Sequence, residues 1–256
     1  MWRALRIALL FLLMLGVGAD AWLTRARSTS WQNTLWVGIY PIAGDDSADT
    51  ARYLAALTRD DFLPIEDFMA REAHRHGIAL GQPLHVVRGR TLAELPPAPP
   101  RDRSPLSIAQ WSLQLRWWSH EVESAQPGPP SNIRVYVIYH DPQRQPVVPH
   151  SLGLQKGLIG VVHAFASSAQ GGSNDVVIAH ELMHTLGATD KYDPVSTLPS
   201  FPDGYADPQA QPRWPQARAE IMGGRVPLSA TQAEIPRSLA SVVVGPATAR
   251  EIGWTR

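Results

Sequence analysis

His180-Glu181-Leu182-Met183-His184, continued by Thr185-Leu186-Gly187-Ala188-Thr189-Asp190, brings together the side chains best suited to chemistry in this sequence. A helix turns about 100° and rises about 1.5 Å per residue, so positions four apart lie about 40° apart around the axis and about 6 Å apart along it. His180 and His184 therefore face the same way, and two imidazoles can close on one metal ion. Glu181 lies beside them, where it can take a proton from a metal-bound water without serving as a ligand. That division of labour is the one hydrolysis needs. A catalytic zinc takes three protein ligands plus water, and Asp190 is the nearest candidate for the third. A sharp turn at Gly187 would let the chain double back and present that carboxylate. Two other readings stay open: Asp190 as a turn former bonded to its own backbone, and Glu220 as the third ligand. Pro215 and Gly223 leave little room for the second helix from which such a glutamate usually comes.

The elements that must position these groups follow from the local sequence. Gly171-Gly172 is expected to break what precedes, with Ser173, Asn174 or Asp175 as N-cap and Gly187 as the left-handed residue past the end. Val176, Ala179, Leu182, Met183 and Leu186 surround the histidines with apolar surface, so the helix should be buried. A buried amphipathic helix with two satisfied histidines is the bland alternative. Placing His-Glu in the middle of such a segment is costly without a purpose, which favours a metal site.

At this point the sequence resembles the metzincin zinc peptidases, whose signature is HExxHxxGxx followed by His or Asp. Here Asp190 stands at the last position, as in the snapalysin-type variant. The resemblance covers Asn174 to Asp190 and, more loosely, Ala219 to Gly224. It implies that His180, His184 and Asp190 hold one catalytic zinc ion, that Glu181 is general base and acid, and that Met222 in Glu220-Ile221-Met222-Gly223-Gly224 forms a Met-turn beneath the metal. Gly224 stands where some members carry a tyrosine, so no tyrosine ligand is implied there. The continuation Asp190-Lys191-Tyr192-Asp193 is also comparable with that of the immune-inhibitor-type secreted metallopeptidases. Tyr192 and Tyr205 border this region as candidate donors to a developing oxyanion or as plain packed aromatics.

The chain has 256 residues, with 23 basic and 23 acidic side chains and no cysteine. That length suits one sizeable core. The even charge balance, without a basic cluster, argues against a nucleic-acid partner. The absence of cysteine rules out a disulfide framework and thiolate ligands. Arg3 and Arg6 precede an apolar run from Ile7 to Ala19, with Ala19-Asp20-Ala21 as a candidate cleavage site; residues 1–23 are expected to form a signal peptide or signal-anchor helix. If the leader stays attached, residues 7–23 would tether the chain to a membrane with the metal helix on the extracytoplasmic, periplasmic side.

Elsewhere, strands are expected over Thr34 to Ile42, Pro83 to Arg88, Ile133 to Tyr139 and Gly157 to Phe165. Helices are expected over Ala48 to Thr58, Ile65 to His76, Leu106 to Val122 and Pro246 to Ile252. Trp117-Trp118 suggests either a core helix or an interface patch, with the core favoured. The strand just before the metal helix resembles the metzincin edge strand that holds a peptide by strand addition; a plain sheet strand is equally open. Asp193 to Ala219 is long and proline-rich and is expected to frame the cleft.

Together these features predict an α+β, metzincin-like fold over residues 30–256, with a twisted mixed sheet, an active-site helix and a smaller C-terminal lobe bearing the Met-turn. The expected activity is hydrolysis of peptide bonds in a peptide or protein substrate by an exported zinc endopeptidase. A catalytically inactive zinc-containing cell-envelope scaffold and a non-peptide amidase are the alternatives.

Overall fold

The computed structural model describes residues 28–255 other than Arg103 and Lys156, together with Trp2, Arg6 and Gly18. Apart from those last three, the leader expected over residues 1–23 lies outside the described residues. Among them, no helix is long and apolar enough to cross a membrane.

The body is a mixed α and β arrangement. A five-stranded sheet contains β1 (Leu35–Ala43), β2 (Leu84–Arg88), β3 (Ile133–His140), β4 (Leu152–Leu154) and β5 (Ile159–Phe165), in the order β2-β1-β3-β5-β4. Neighbours are parallel except β4, which runs antiparallel to β5. Helices α1 (Ala48–Ala56), α2 (Leu63–Arg75), α3 (Pro105–Ser124), α4 (Gly171–Thr185) and α5 (Pro246–Glu251) complete the described framework, with short strand pairs β6 (Ala219–Glu220) with β9 (Val242–Val243) and β7 (Val226–Pro227) with β8 (Ala233–Glu234).

Alternation along the strands sorts the two faces. Val37, Ile39, Val135, Val137 and Val162 share one core with residues of α2 and α4, while Tyr40, Ile42, Tyr136, Ile138 and Val161 share the other with Trp111, Leu115 and Val122 of α3. Trp117 and Trp118 part company: Trp118 sets its ring edge-on to Tyr136, whereas Trp117 is exposed and donates to Glu121. The strand expected over Thr34 to Ile42 is β1, which runs through Pro41 to Ala43. Regular pairing with β2 ends at Arg88 opposite Ile39, which makes room for a residue without an N–H, and the Pro41 carbonyl still accepts from Leu92 N at 2.9 Å.

The region expected as a smaller lobe shares the main core. Ile221, Met222, Val242, Ile252 and Trp254 belong to the same apolar cluster as the sheet. Glu72 of α2 fastens it: this buried carboxylate lies between Arg71 and Arg75 and accepts from Val244 N. Trp31 adds a second tie through Nε1 to the Ile252 carbonyl at 2.7 Å.

Two expectations about position are resolved. Of the two readings left open for Gly157 to Phe165, the plain sheet strand holds and the edge strand does not: as β5 it is covered by β4, and the three-residue β4 is the edge. Nor do Ser173, Asn174 or Asp175 cap α4, which starts at Gly171 without a side-chain cap. Gly172 is needed there because a Cβ would come within 2.2 Å of the Arg237 carbonyl oxygen. Asn174 instead pairs with both backbone groups of Phe165 at 3.0 and 2.8 Å, which ties the first turn to the end of β5.

Asp175 is buried beneath that turn, where burial and then the nearby Asp61 push its carboxyl up to about 7. Because the folded pKa exceeds the ordinary value near 4, the favourable contribution is complete below that value and is lost as pH rises through the folded pKa. Asp175→Asn keeps the shape and removes the ionisation. Its stability relative to wild type is expected to rise between about pH 4 and 8 by as much as ~4 kcal/mol, as read from urea midpoints at each pH.

Candidate metal centre

Helix α4 carries the first two candidate ligands on a segment buried almost all round, and its end delivers the third. Gly187 adopts φ +103, the left-handed conformation expected of it. Its N–H bonds the His184 carbonyl, and Ala188 N bonds the Met183 carbonyl, so the chain reverses tightly. Asp190 returns to the histidines. Its Oδ1 lies 3.1 Å from His180 Nε2 and 3.0 Å from His184 Nε2, and those two nitrogens are 3.2 Å apart.

The hydrogen bonds on the far side of each ring decide what this cluster wants. His180 Nδ1 is 2.8 Å from the Ile221 carbonyl and His184 Nδ1 is 2.9 Å from the Ala188 carbonyl. A carbonyl can only accept, so both Nδ1 atoms carry the proton and, in neutral rings, both Nε2 atoms turn lone pairs toward each other and toward a carboxylate oxygen. Three acceptors converging on one point need a cation. His180, His184 and Asp190 are accordingly the one cluster of three potential ligands among the described residues able to hold a metal ion. The donor set of two imidazoles and a carboxylate suits zinc and its neighbours among the divalent transition metals.

The same attraction sets the ionisation of these groups. Burial opposes a charged His180, but Asp190, Glu181 and the Ile221 carbonyl outweigh it and raise its pKa. Burial likewise works against the Asp190 carboxylate, yet the two histidines hold it far below the usual range. Glu181 is moved the other way, its carboxyl raised by burial despite both histidines. It is 6% exposed and its Oε2 has no hydrogen-bond partner. Glu181 thus places a buried carboxyl, one oxygen of it without a partner, beside the three candidate ligands.

No protein-family model matches this chain, and no curated protein matches it. The reading of the site therefore rests on its own geometry.

Glu220 is not the third ligand. Its Oε2 accepts from Met222 N at 2.7 Å and Gly223 N at 2.9 Å, while Oε1 accepts from Gly245 N at 3.0 Å and Thr248 Oγ1 at 2.7 Å. Four donors occupy this fully buried carboxylate, which serves to hold the segment whose Ile221 carbonyl orients His180. Met222 is fully buried, and its carbonyl accepts from Lys191 N at 2.9 Å, so the Asp190 segment and the Ile221-Met222 segment lie against each other.

Of the two candidate tyrosines, only Tyr192 is at the metal centre. Its ring lies 6.2 Å from that of His180, and burial, then Asp190, push its phenol up to about 12, which keeps the proton on at neutral pH. Tyr205 packs on Phe201 and accepts from Trp214 Nε1. The segment Asp193 to Ala219 starts beside the centre, closing a bridge from Tyr192 to Pro199 and another from Tyr205 to Ala219.

Three participants escape sequence reasoning because they act across long stretches of chain. Gly153 of β4 lies so close to α4 that a Cβ would meet the Glu181 carbonyl oxygen at 2.3 Å and His184 Cβ at 2.6 Å. Lys191, 7% exposed, pairs with Glu251 of α5 at 2.7 Å. Glu251 also accepts from Thr189 N at 3.0 Å and Thr189 Oγ1 at 2.7 Å, so it grips both neighbours of Asp190. Glu251→Ala would release that grip and leave Lys191 without its counter-charge. Metal affinity is expected to fall by about ten-fold or more, the usual effect of losing such a supporting group, as measured by chelator competition.

Proposed function

We propose that this chain is an exported zinc-dependent endopeptidase of metzincin type. The reading rests above all on the convergence of His180 Nε2, His184 Nε2 and Asp190 Oδ1 beside the buried, unpartnered carboxylate of Glu181. The signature spacing from His180 to Asp190 supports it, as does the buried Met222 next to the carbonyl that holds His180. Export is inferred from the charged and apolar N-terminal sequence alone.

Zinc, when bound by His180, His184 and Asp190, supplies a Lewis acid for a scissile carbonyl and lowers the pKa of a water toward about 7. Glu181 takes a proton from the attacking water as the new C–O bond forms. It then delivers that proton to the amine nitrogen as the C–N bond breaks. The raised pKa of Glu181 suits both halves of this transfer, since a carboxyl that holds its proton more tightly is a better base and is still an acid near neutrality. Tyr192, protonated at neutral pH, is the candidate donor to the oxygen that gains negative charge. The edge strand β4, packed on α4 through Gly153, provides a place where an extended peptide can add as a further strand across the site.

Cleavage of a peptide library by the purified chain tests the activity. Turnover should stop on chelation and return on adding zinc. A metal-loaded protein that cleaves no peptide would favour the scaffold instead.

A further inference from the structure

A second feature lies outside the metal centre, at the opposite end of α4. A cavity of about 120 Å³ opens between the first turn of α4, the end of α1 and the start of α2, with Asp175, Asp61, Tyr53, Phe62, Tyr139 and Ser168 among its walls. Asp175 lies five residues, or about 7.5 Å along the helix axis, before His180. It is 8% exposed, and its perturbation comes from burial and from Asp61, with no hydrogen bond to relieve it. Asp61 gives one oxygen to Thr58, accepting from its N at 2.7 Å and its Oγ1 at 3.0 Å. No lysine, arginine or histidine lines the cavity.

The Asp175 oxygens are not sealed in but face the open cavity, so whatever enters there can supply the donor and the counter-charge that the protein does not. The positive end of α4 accounts for part of the attraction, but backbone dipoles do not fill a cavity. A hard divalent cation is a poor match, since it wants six or more oxygen ligands. Beside its two carboxylates the cavity is lined by Ser168 and by Asn174, whose amide is already bonded to Phe165, and the cluster of three metal-ligating side chains found among the described residues is elsewhere, at the candidate metal centre. The remaining walls mix the rings of Tyr53, Phe62 and Tyr139 and the Leu57 side chain with the polar Ser168 and Asn174, the Tyr53 and Tyr139 rings being 5.3 Å apart. Aromatic walls around an acid suit a cation on an apolar stem. The volume is several times what one water needs, enough for a short chain.

We propose that this cavity binds a primary ammonium group on a short alkyl stem, as carried by a lysine side chain or a free alkylamine. Asp175 and Asp61 would pair with the ammonium and the rings of Tyr53, Phe62 and Tyr139 would cover the stem. The site is independent of the hydrolytic reading and stands whether or not the chain cleaves peptides.

Calorimetric titration of the full chain at pH 8 with n-butylammonium chloride, with Nα-acetyl-lysine amide, with neutral N-butylacetamide and with CaCl2 tests it. Saturable binding of either ammonium compound, with none for N-butylacetamide, is expected; binding of both marks the ammonium group itself as the determinant, and binding of one alone identifies the source. Asp175→Asn should weaken binding at least ten-fold. Asp61→Asn, at an exposed position where folding is not at risk, should weaken it as well. Equal binding in wild type and both variants would overturn the proposal, including the case in which the amine simply ligates the metal. So would a response to CaCl2 with none to either ammonium compound.

Discussion

Glu181→Gln is expected to lower kcat for peptide cleavage by about a thousand-fold while leaving the metal content of the protein unchanged. The two side chains have nearly the same shape, so the packing of α4 is preserved and His180 and His184 stay in place. What is lost, on the mechanism proposed, is the lone pair that accepts the proton of the attacking water and later returns it. Glu181 Oε2 has no hydrogen-bond partner in the folded chain, so the amide breaks no existing bond. Stability should therefore not fall and, as at Asp175, losing a carboxyl that burial raises should if anything favour the folded chain near neutral pH; parallel measurement of kcat, bound metal and urea midpoint separates a chemical role from a structural one. Loss of metal together with activity would mean that Glu181 holds the site together rather than working in it.

Glu220→Ala should be among the most damaging single changes to stability. Four donors point at this carboxylate, three of them backbone N–H groups of Met222, Gly223 and Gly245. Burial raises its pKa, and these donors work against that by stabilising the charged form. Removing the acceptor strands them in a site with no solvent, at a cost of about 3–5 kcal/mol. Glu220→Gln does little better, because its NH2 group must face a donor. The effect should reach the metal as well: Ile221 sits between Glu220 and Met222, and its carbonyl fixes the tautomer and direction of His180. Metal affinity measured in the folded population should fall along with the denaturation midpoint.

Much of the site can be read from local sequence because its parts lie close together in the chain. His180, Glu181, His184, Gly187 and Asp190 span eleven residues, and one helix turn geometry plus one left-handed glycine brings them together. Strand β3 and the buried stripe of α3 are legible for a similar reason, since period two and period 3.6 are written in residues that touch the same core. The supporting groups are not. Glu251 meets Lys191 across 60 residues and Glu72 meets Val244 across 172, and neither spacing leaves a local pattern. The true edge strand is not legible because β4 has only three residues, too short for alternation to register, and its position depends on Gly153 fitting against α4. The start of α4 was misread for a related reason: Asn174, a good N-cap by type, is drawn to the backbone of Phe165 instead. That Asp190 turns back to the two histidines, and that Glu220 is taken up by backbone donors, can be read only from where the carboxylates point.

The most direct test is the metal content of the purified chain beside that of His184→Ala, measured by elemental analysis after dialysis. Three converging acceptors predict one ion per wild-type chain, zinc on the reading proposed, and a content near zero in the variant. Equal metal in both, or none in wild type dialysed against buffer containing zinc, would contradict the account.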